Sequence, residues 1–141
     1  MAVGKDERMT GKAIAALALL GALAGAGAPS PLPANSLVIF GSRYCAPCVA
    51  ELKELPRISE WRGQRPIVVA WIDKEPPPSI GTYPATRAVE WREARRMLMS
   101  ASDGTSLAVP LVVATNAQGK VCGATRQPLT KAAVKGLTRA C

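Results

Sequence analysis

Three apolar runs of strand length punctuate the chain: Leu37-Val38-Ile39-Phe40, Ile67-Val68-Val69-Ala70-Trp71-Ile72 and Leu111-Val112-Val113-Ala114. Each is rich in β-branched residues and bounded by polar or turn-forming ones, so each predicts a buried strand. Runs without alternation suit strands covered on both faces, as at the centre of a parallel sheet. Between the first two, Val49–Leu55 favours helix, and Leu52, Leu55 and Ile58 recur at helical spacing. The pattern predicts a helix from Cys45 that Pro56 kinks or ends and that fades by Trp61-Arg62-Gly63. Strand, helix and parallel strand together make a right-handed βαβ unit.

The rest follows without an internal repeat. Lys74–Pro84, with Pro76-Pro77-Pro78 at its centre, reads as a stiff exposed loop, either a spacer or a docking surface. Thr86–Met99 predicts a helix with Trp91, Ala94 and Leu98 on its apolar stripe and Arg87, Glu90, Glu93 and Arg96 largely elsewhere. Gly104–Ala108 leads to Val109-Pro110, and Pro110 opens the third strand, a position where its missing N–H is tolerated. Asn116-Ala117-Gln118-Gly119 predicts a hairpin turn, with Lys120–Ala124 returning as an antiparallel strand. Leu129–Ala140 closes the chain as a helix on the stripe Leu129, Ala133, Leu137 and Ala140.

Ahead of all this, Lys5, Arg8 and Lys12 precede Ala13–Ala28, a stretch without a charge that ends in small residues in Ala-x-Ala order. Residues 1–28 therefore read as an export signal, cleaved after Ala26 or retained as an anchor through 13–28. Residues 29–36 read as a Pro-rich linker and 37–141 as one domain. An exported chain lives where disulfides persist.

At 141 residues there is room for one domain of ordinary size, and 48% apolar with 4% aromatic content makes its core aliphatic. The net charge of +8 is scattered, with only Arg92, Arg95 and Arg96 close together, so it reads as a solvated surface rather than a nucleic-acid footprint. The chain has no histidine, which removes the general base of Cys–His and Ser–His hydrolysis.

The chemistry is carried by Cys45-Ala46-Pro47-Cys48 at the start of the first helix. There, unpaired N–H groups and the positive end of the helix dipole favour a thiolate, making Cys45 a nucleophile. Cys48, one turn on, can close a disulfide with it and release a bound partner. Pro47 sits in the first turn, where a missing N–H costs nothing. Zinc needs two further ligands at similar spacing, and the remaining cysteines, Cys122 and Cys141, lie far away and far from each other.

Strand, Cys-x-x-Cys helix, strand, helix, Pro-initiated strand, hairpin strand and helix resemble the thioredoxin-like superfamily over residues 37–141. Cys45-Ala46-Pro47-Cys48, Val109-Pro110 at the place of that family's cis-proline, and the Asn116–Gly119 hairpin carry the resemblance together. Cys-Ala-Pro-Cys-Val-Ala-Glu-Leu is similar to the active-site helix of exported TlpA/ResA-type thiol reductases, and Gly119-Lys120, Gly123 and Pro128 resemble the Dsb-type proteins. The resemblance implies a minimal α/β fold, a central mixed sheet flanked by helices. It also implies that Cys45 attacks, Cys48 resolves, and Tyr44, Val109 and cis-Pro110 contact the substrate. Tyr44 replaces the family's usual Trp, and Ile39 stands where a thioredoxin buries an Asp, so proton transfer with Cys48 calls for another group or water. With residues 37–141 read as one domain and none for dimerisation among residues 1–141, a self-contained Dsb-type isomerase is not the expectation.

A Cys122–Cys141 disulfide would tie the terminal helix to the hairpin strand beside it. Free thiols, a bond to another chain, an accessory relay and a small core residue at Cys122 are the alternatives. The sequence thus points to an exported, periplasmic thiol–disulfide oxidoreductase, free or anchored in the inner membrane. It would act on protein thiols or disulfides with a redox partner protein and no bound cofactor, metal or nucleic acid. The rival reading is a non-catalytic interaction module of an envelope assembly, with Cys45–Cys48 a structural disulfide; dithiolate delivery of metal or haem is a third.

Overall fold

The computed structural model describes residues 31–77, 80 and 83–141; the expected export signal, part of the linker and part of the Pro-rich loop lie outside them. A five-stranded sheet is built from β1 (Leu37–Gly41), β2 (Ile67–Trp71), β3 (Thr86–Ala88), β4 (Leu111–Thr115) and β5 (Val121–Thr125). Their spatial order is β3-β2-β1-β4-β5. β1 runs parallel to β2, and β2 to β3, whereas β4 is antiparallel to both β1 and β5. The helices are α1 (Ala46–Lys53), α2 (Leu55–Trp61), α3 (Trp91–Ala101) and α4 (Lys131–Arg139).

The unbroken apolar runs explain the layering. Every residue of β1, β2 and β4 is buried, because side chains of both parities meet a covering layer. Leu37, Ile39, Val69 and Trp71 face Leu52, Leu55 and Ile58 of α1–α2 and Val134 and Leu137 of α4. On the other side Val38, Phe40, Val68 and Ala70 meet Ala94, Met97 and Leu98 of α3. Each Val, Leu, Ile, Phe or Met side chain among them, withdrawn from water, contributes about 1.5–3 kcal/mol before conformational entropy is counted.

Four differences from the sequence expectation have local causes. The first helix is two helices: Glu54 caps the end of α1 and the start of α2, and Pro56 falls in the first turn of α2, where it is tolerated. Thr86–Ala88 is not helical but pairs in parallel with Ile67–Val69 as an edge strand, so α3 begins only after Glu90 accepts from the Arg92 N–H (2.9 Å). Trp91 consequently lies at the start of α3, half-exposed, and Met97 takes the buried place in the stripe. In α4, Thr130 caps the Ala133 N–H (3.1 Å), and Val134 is buried rather than Ala133 or Ala140.

The last difference concerns the linker, whose final residues belong to the fold. Leu32 is buried, the Asn35 N–H donates to Asn116 O (2.9 Å) and the Ser36 N–H to Thr115 Oγ1 (2.9 Å). Thr115, itself fully buried, donates its hydroxyl to Pro33 O (2.5 Å). A buried hydroxyl that both donates and accepts is satisfied, which fastens this segment to the hairpin base.

Candidate functional site

At Gly41, the last residue of β1, there is no room for a side chain. A Cβ there would meet Trp71 Cζ3 at 2.5 Å and Cys48 Cβ at 3.0 Å, so the strand end, the indole and the second cysteine are packed backbone to ring to sulfur-bearing carbon. The chain then turns through residues held from below by Asp73, just beyond β2. Asp73 accepts from Ser42 Oγ (3.2 Å) and the Arg43 N–H (2.6 Å), while Ser42 Oγ accepts from the Tyr44 N–H (3.2 Å) and Ser42 O from the Cys45 N–H (3.1 Å). Carboxylate bonds to backbone N–H groups are charge-assisted and strong, so the turn delivering Cys45 is fixed before the helix starts.

Cys45 is the N-cap of α1, and its Sγ accepts from the Cys48 N–H at 3.2 Å. An N-cap sulfur accepting from the N–H of the helix's third residue sits where negative charge is well held. Cys48 is buried, 3% exposed, whereas Cys45 is half-buried. The two are joined in a disulfide with Cα atoms 5.2 Å apart, a separation natural to such a bond. Of the pair, the surface sulfur is the one an incoming sulfur can reach.

The Val109–Pro110 peptide bond is cis. Pro110 and Pro47 line one groove of about 210 Å³ with Ala50, Glu51, Glu54, Arg126, Pro128 and Leu129. Structure thus brings Pro110 to the Cys45–Cys48 helix across a long sequence separation. Tyr44 does not share that groove: it is 87% exposed and borders a separate recess with Arg43, Asp73, Lys74, Glu75 and Arg95. Arg43 pairs with Glu75, and Lys74, Arg92 and Arg95 lie over the Trp91 ring at 5.8, 4.5 and 5.3 Å.

Cys122 and Cys141 are joined by a disulfide, with Cα atoms 5.1 Å apart, linking β5 to the residue after α4. Among the described residues no group of three or more His, Cys, Asp or Glu could hold a metal ion, and no helix is long and apolar enough to cross a membrane.

Sequence reasoning missed Glu51. It is buried on α1, one turn past Cys48, and Glu51 Oε1 accepts from the Leu129 N–H at 3.1 Å. Burial pushes its carboxyl above the usual carboxylate range, and the Leu129 N–H pulls the other way more weakly. Its spacing from Cys48 was a readable signal, since residues three apart share a helix face. Asp73 and Arg126 had none, because each acts on backbone distant in sequence.

No family model matches the chain, and no curated protein matches it. Among solved structures it is similar to a thio-disulfide isomerase from Thermus thermophilus, with 22% identity over 79% of this chain and 82% of that one, at a TM-score of 0.55. The mixed five-stranded sheet with its flanking helices is the thioredoxin-like fold, and the Cys45–Cys48 disulfide stands at its first helix.

Proposed function

We propose that this protein is an exported thiol–disulfide oxidoreductase that exchanges disulfides with protein substrates through Cys45 and Cys48. The observation that carries the reading is the asymmetry of the pair. Cys45 is accessible and hydrogen-bonded through sulfur to a helix N-terminal N–H, while Cys48 is buried behind it, with cis-Pro110 bordering the same helix. A structural disulfide gains nothing from such polarity, whereas a nucleophile and a resolving thiol need it. The Thermus neighbour's description is consistent with this class of chemistry.

In the reducing direction, the Cys45 thiolate attacks one sulfur of a substrate disulfide, and the other substrate sulfur leaves as a thiolate and takes up a proton. Cys48 then loses its proton and attacks Cys45 Sγ, which releases the second substrate thiol and leaves the Cys45–Cys48 disulfide. Two electrons have passed to the substrate, and a partner protein restores the dithiol. We assign Glu51, one turn past Cys48 on α1, as the candidate acceptor of the Cys48 proton, from its place on the same helix face together with a buried carboxyl that is more basic than a surface one. Operation in reverse makes the protein a disulfide donor. Residues 1–28, read as an export signal or anchor, would place it in the periplasm, free or tethered to the inner membrane.

Equilibration of the Cys45–Cys48 pair against glutathione tests the reading. A potential near about −120 to −180 mV assigns a disulfide donor or isomerase, and one near about −270 mV a reductase. A pair that resists reduction below about −300 mV, with no Cys45 thiolate at neutral pH, overturns it in favour of a non-catalytic interaction module.

A further inference from the structure

Arg126 follows directly on β5, and its guanidinium reaches over the chain that enters β4. Nη1 donates to the carbonyl of Ala108 at 2.8 Å and to that of Pro110 at 3.0 Å. Backbone pairing between the two strands stops at Val112 and Thr125, so beyond that point the Arg126 side chain does what a ladder hydrogen bond would otherwise do. The Ala108 N–H is also occupied, donating to Ser106 Oγ at 2.8 Å. Val109, between the two clamped carbonyls, makes no backbone hydrogen bond of its own among the described residues. Its N–H and C=O are thus presented from a segment whose neighbours on both sides are held, beside the groove that Pro47, Glu51 and Arg126 share.

We propose that Arg126 is a positioning residue that sets the Val109–Pro110 segment for pairing with the extended backbone around a substrate cysteine, and so makes the protein selective for polypeptide disulfides over small ones. The proposal rests on the thiol–disulfide exchange reading and adds to it a positioning residue. A charged donor holding two carbonyls fixes their peptide planes, and a preset edge loses less entropy when a strand docks on it. Attack by Cys45 itself needs no such pairing, so a small disulfide reacts without it.

The test compares wild type with Arg126→Met, which keeps the aliphatic stem and removes the donors. The reduced proteins are given a disulfide-bridged peptide and, separately, the small uncharged aromatic disulfide dipyridyl disulfide. In each case two electrons pass from the Cys45–Cys48 dithiol to the substrate disulfide. The peptide reaction should lose about tenfold in kcat/KM, mostly through KM, the range expected when hydrogen bonds from a charged donor are removed. The small-disulfide rate and the potential of the Cys45–Cys48 pair should stay at wild-type values. A parallel fall with both substrates, a shifted potential, or no change with either overturns the proposal. If Arg126→Met does not fold, Arg126→Lys, with the charge kept but the planar fork lost, carries the same comparison with the same expected selectivity. A wild-type protein inert toward both substrates would instead overturn the exchange reading beneath it.

Discussion

Replacing Gly41 by alanine probes the contact on which the site is built. The new Cβ would stand 2.5 Å from Trp71 Cζ3, 2.9 Å from Cε3 and 3.0 Å from Cys48 Cβ. Carbon atoms rest at about 3.5–4.0 Å, so the indole must withdraw by roughly 1 Å. It has nowhere to go, because Trp71 is 1% exposed and a fused ring cannot fold away as a flexible chain end does. Overpacking of this kind costs about 1–3 kcal/mol. Alanine's smaller unfolded-state entropy offsets about 0.4–1 kcal/mol of that, leaving a net destabilisation of about 1–2 kcal/mol. In urea, with a slope of about 1.5 kcal/mol/M, the midpoint should fall by roughly 1 M, with the slope itself unchanged. Circular dichroism in the far and near ultraviolet measures this. Trp71→Phe removes the benzo ring carrying Cζ3 and Cε3, so Gly41→Ala should cost less in the Trp71→Phe background than in wild type. An unchanged or raised midpoint for Gly41→Ala, or equal costs in the two backgrounds, would refute the packing argument.

Glu51→Gln should flatten the dependence of stability on pH. Because burial raises the folded-state pKa above the reference value of 4.5, ionising Glu51 opposes folding. Its contribution is complete below the unfolded value and is lost as pH rises through the folded one. Urea midpoints from acid to neutral pH should therefore decline more for wild type than for Glu51→Gln, which keeps an acceptor for the Leu129 N–H; a steeper decline in the variant would contradict the assignment. Cys141→Ser opens a loop spanning 19 residues and should lower stability by about 3 kcal/mol in the chain-entropy model, while the rate of exchange at Cys45 stays unchanged. A melting temperature equal to wild type under non-reducing conditions would show that the bond contributes nothing.

The central sheet was legible because its signal is local and strong. A run such as Ile67–Trp71 has no polar face, and only a strand covered on both sides accommodates it. The Cys-x-x-Cys at the start of a helix and the proline opening β4 could be read for the same reason, since each is a chemical statement made by neighbours in sequence. Thr86–Ala88 was misread because its three residues carry no strand pattern; the open edge of β2 recruits them, and burial and pairing override propensity. Val134 replaced Ala133 in the core of α4 because the rotation of a short helix is set by what it packs against, here the inner face of the sheet.

The sequence by itself determined which residues are buried in the three central strands, where the Cys45–Cys48 pair stands, and that a helix N-terminus holds the first of the two. Tertiary structure alone decided the rest of the site. It set cis-Pro110 beside the helix of Cys45, placed Asp73 under the turn that delivers it, buried Glu51 against the Leu129 N–H, and laid Arg126 across the Ala108 and Pro110 carbonyls. Those contacts join backbone groups to side chains far away in the chain, and a backbone carbonyl or N–H looks the same in every residue. Its partner is therefore chosen by the fold, and no pattern along the sequence records the choice.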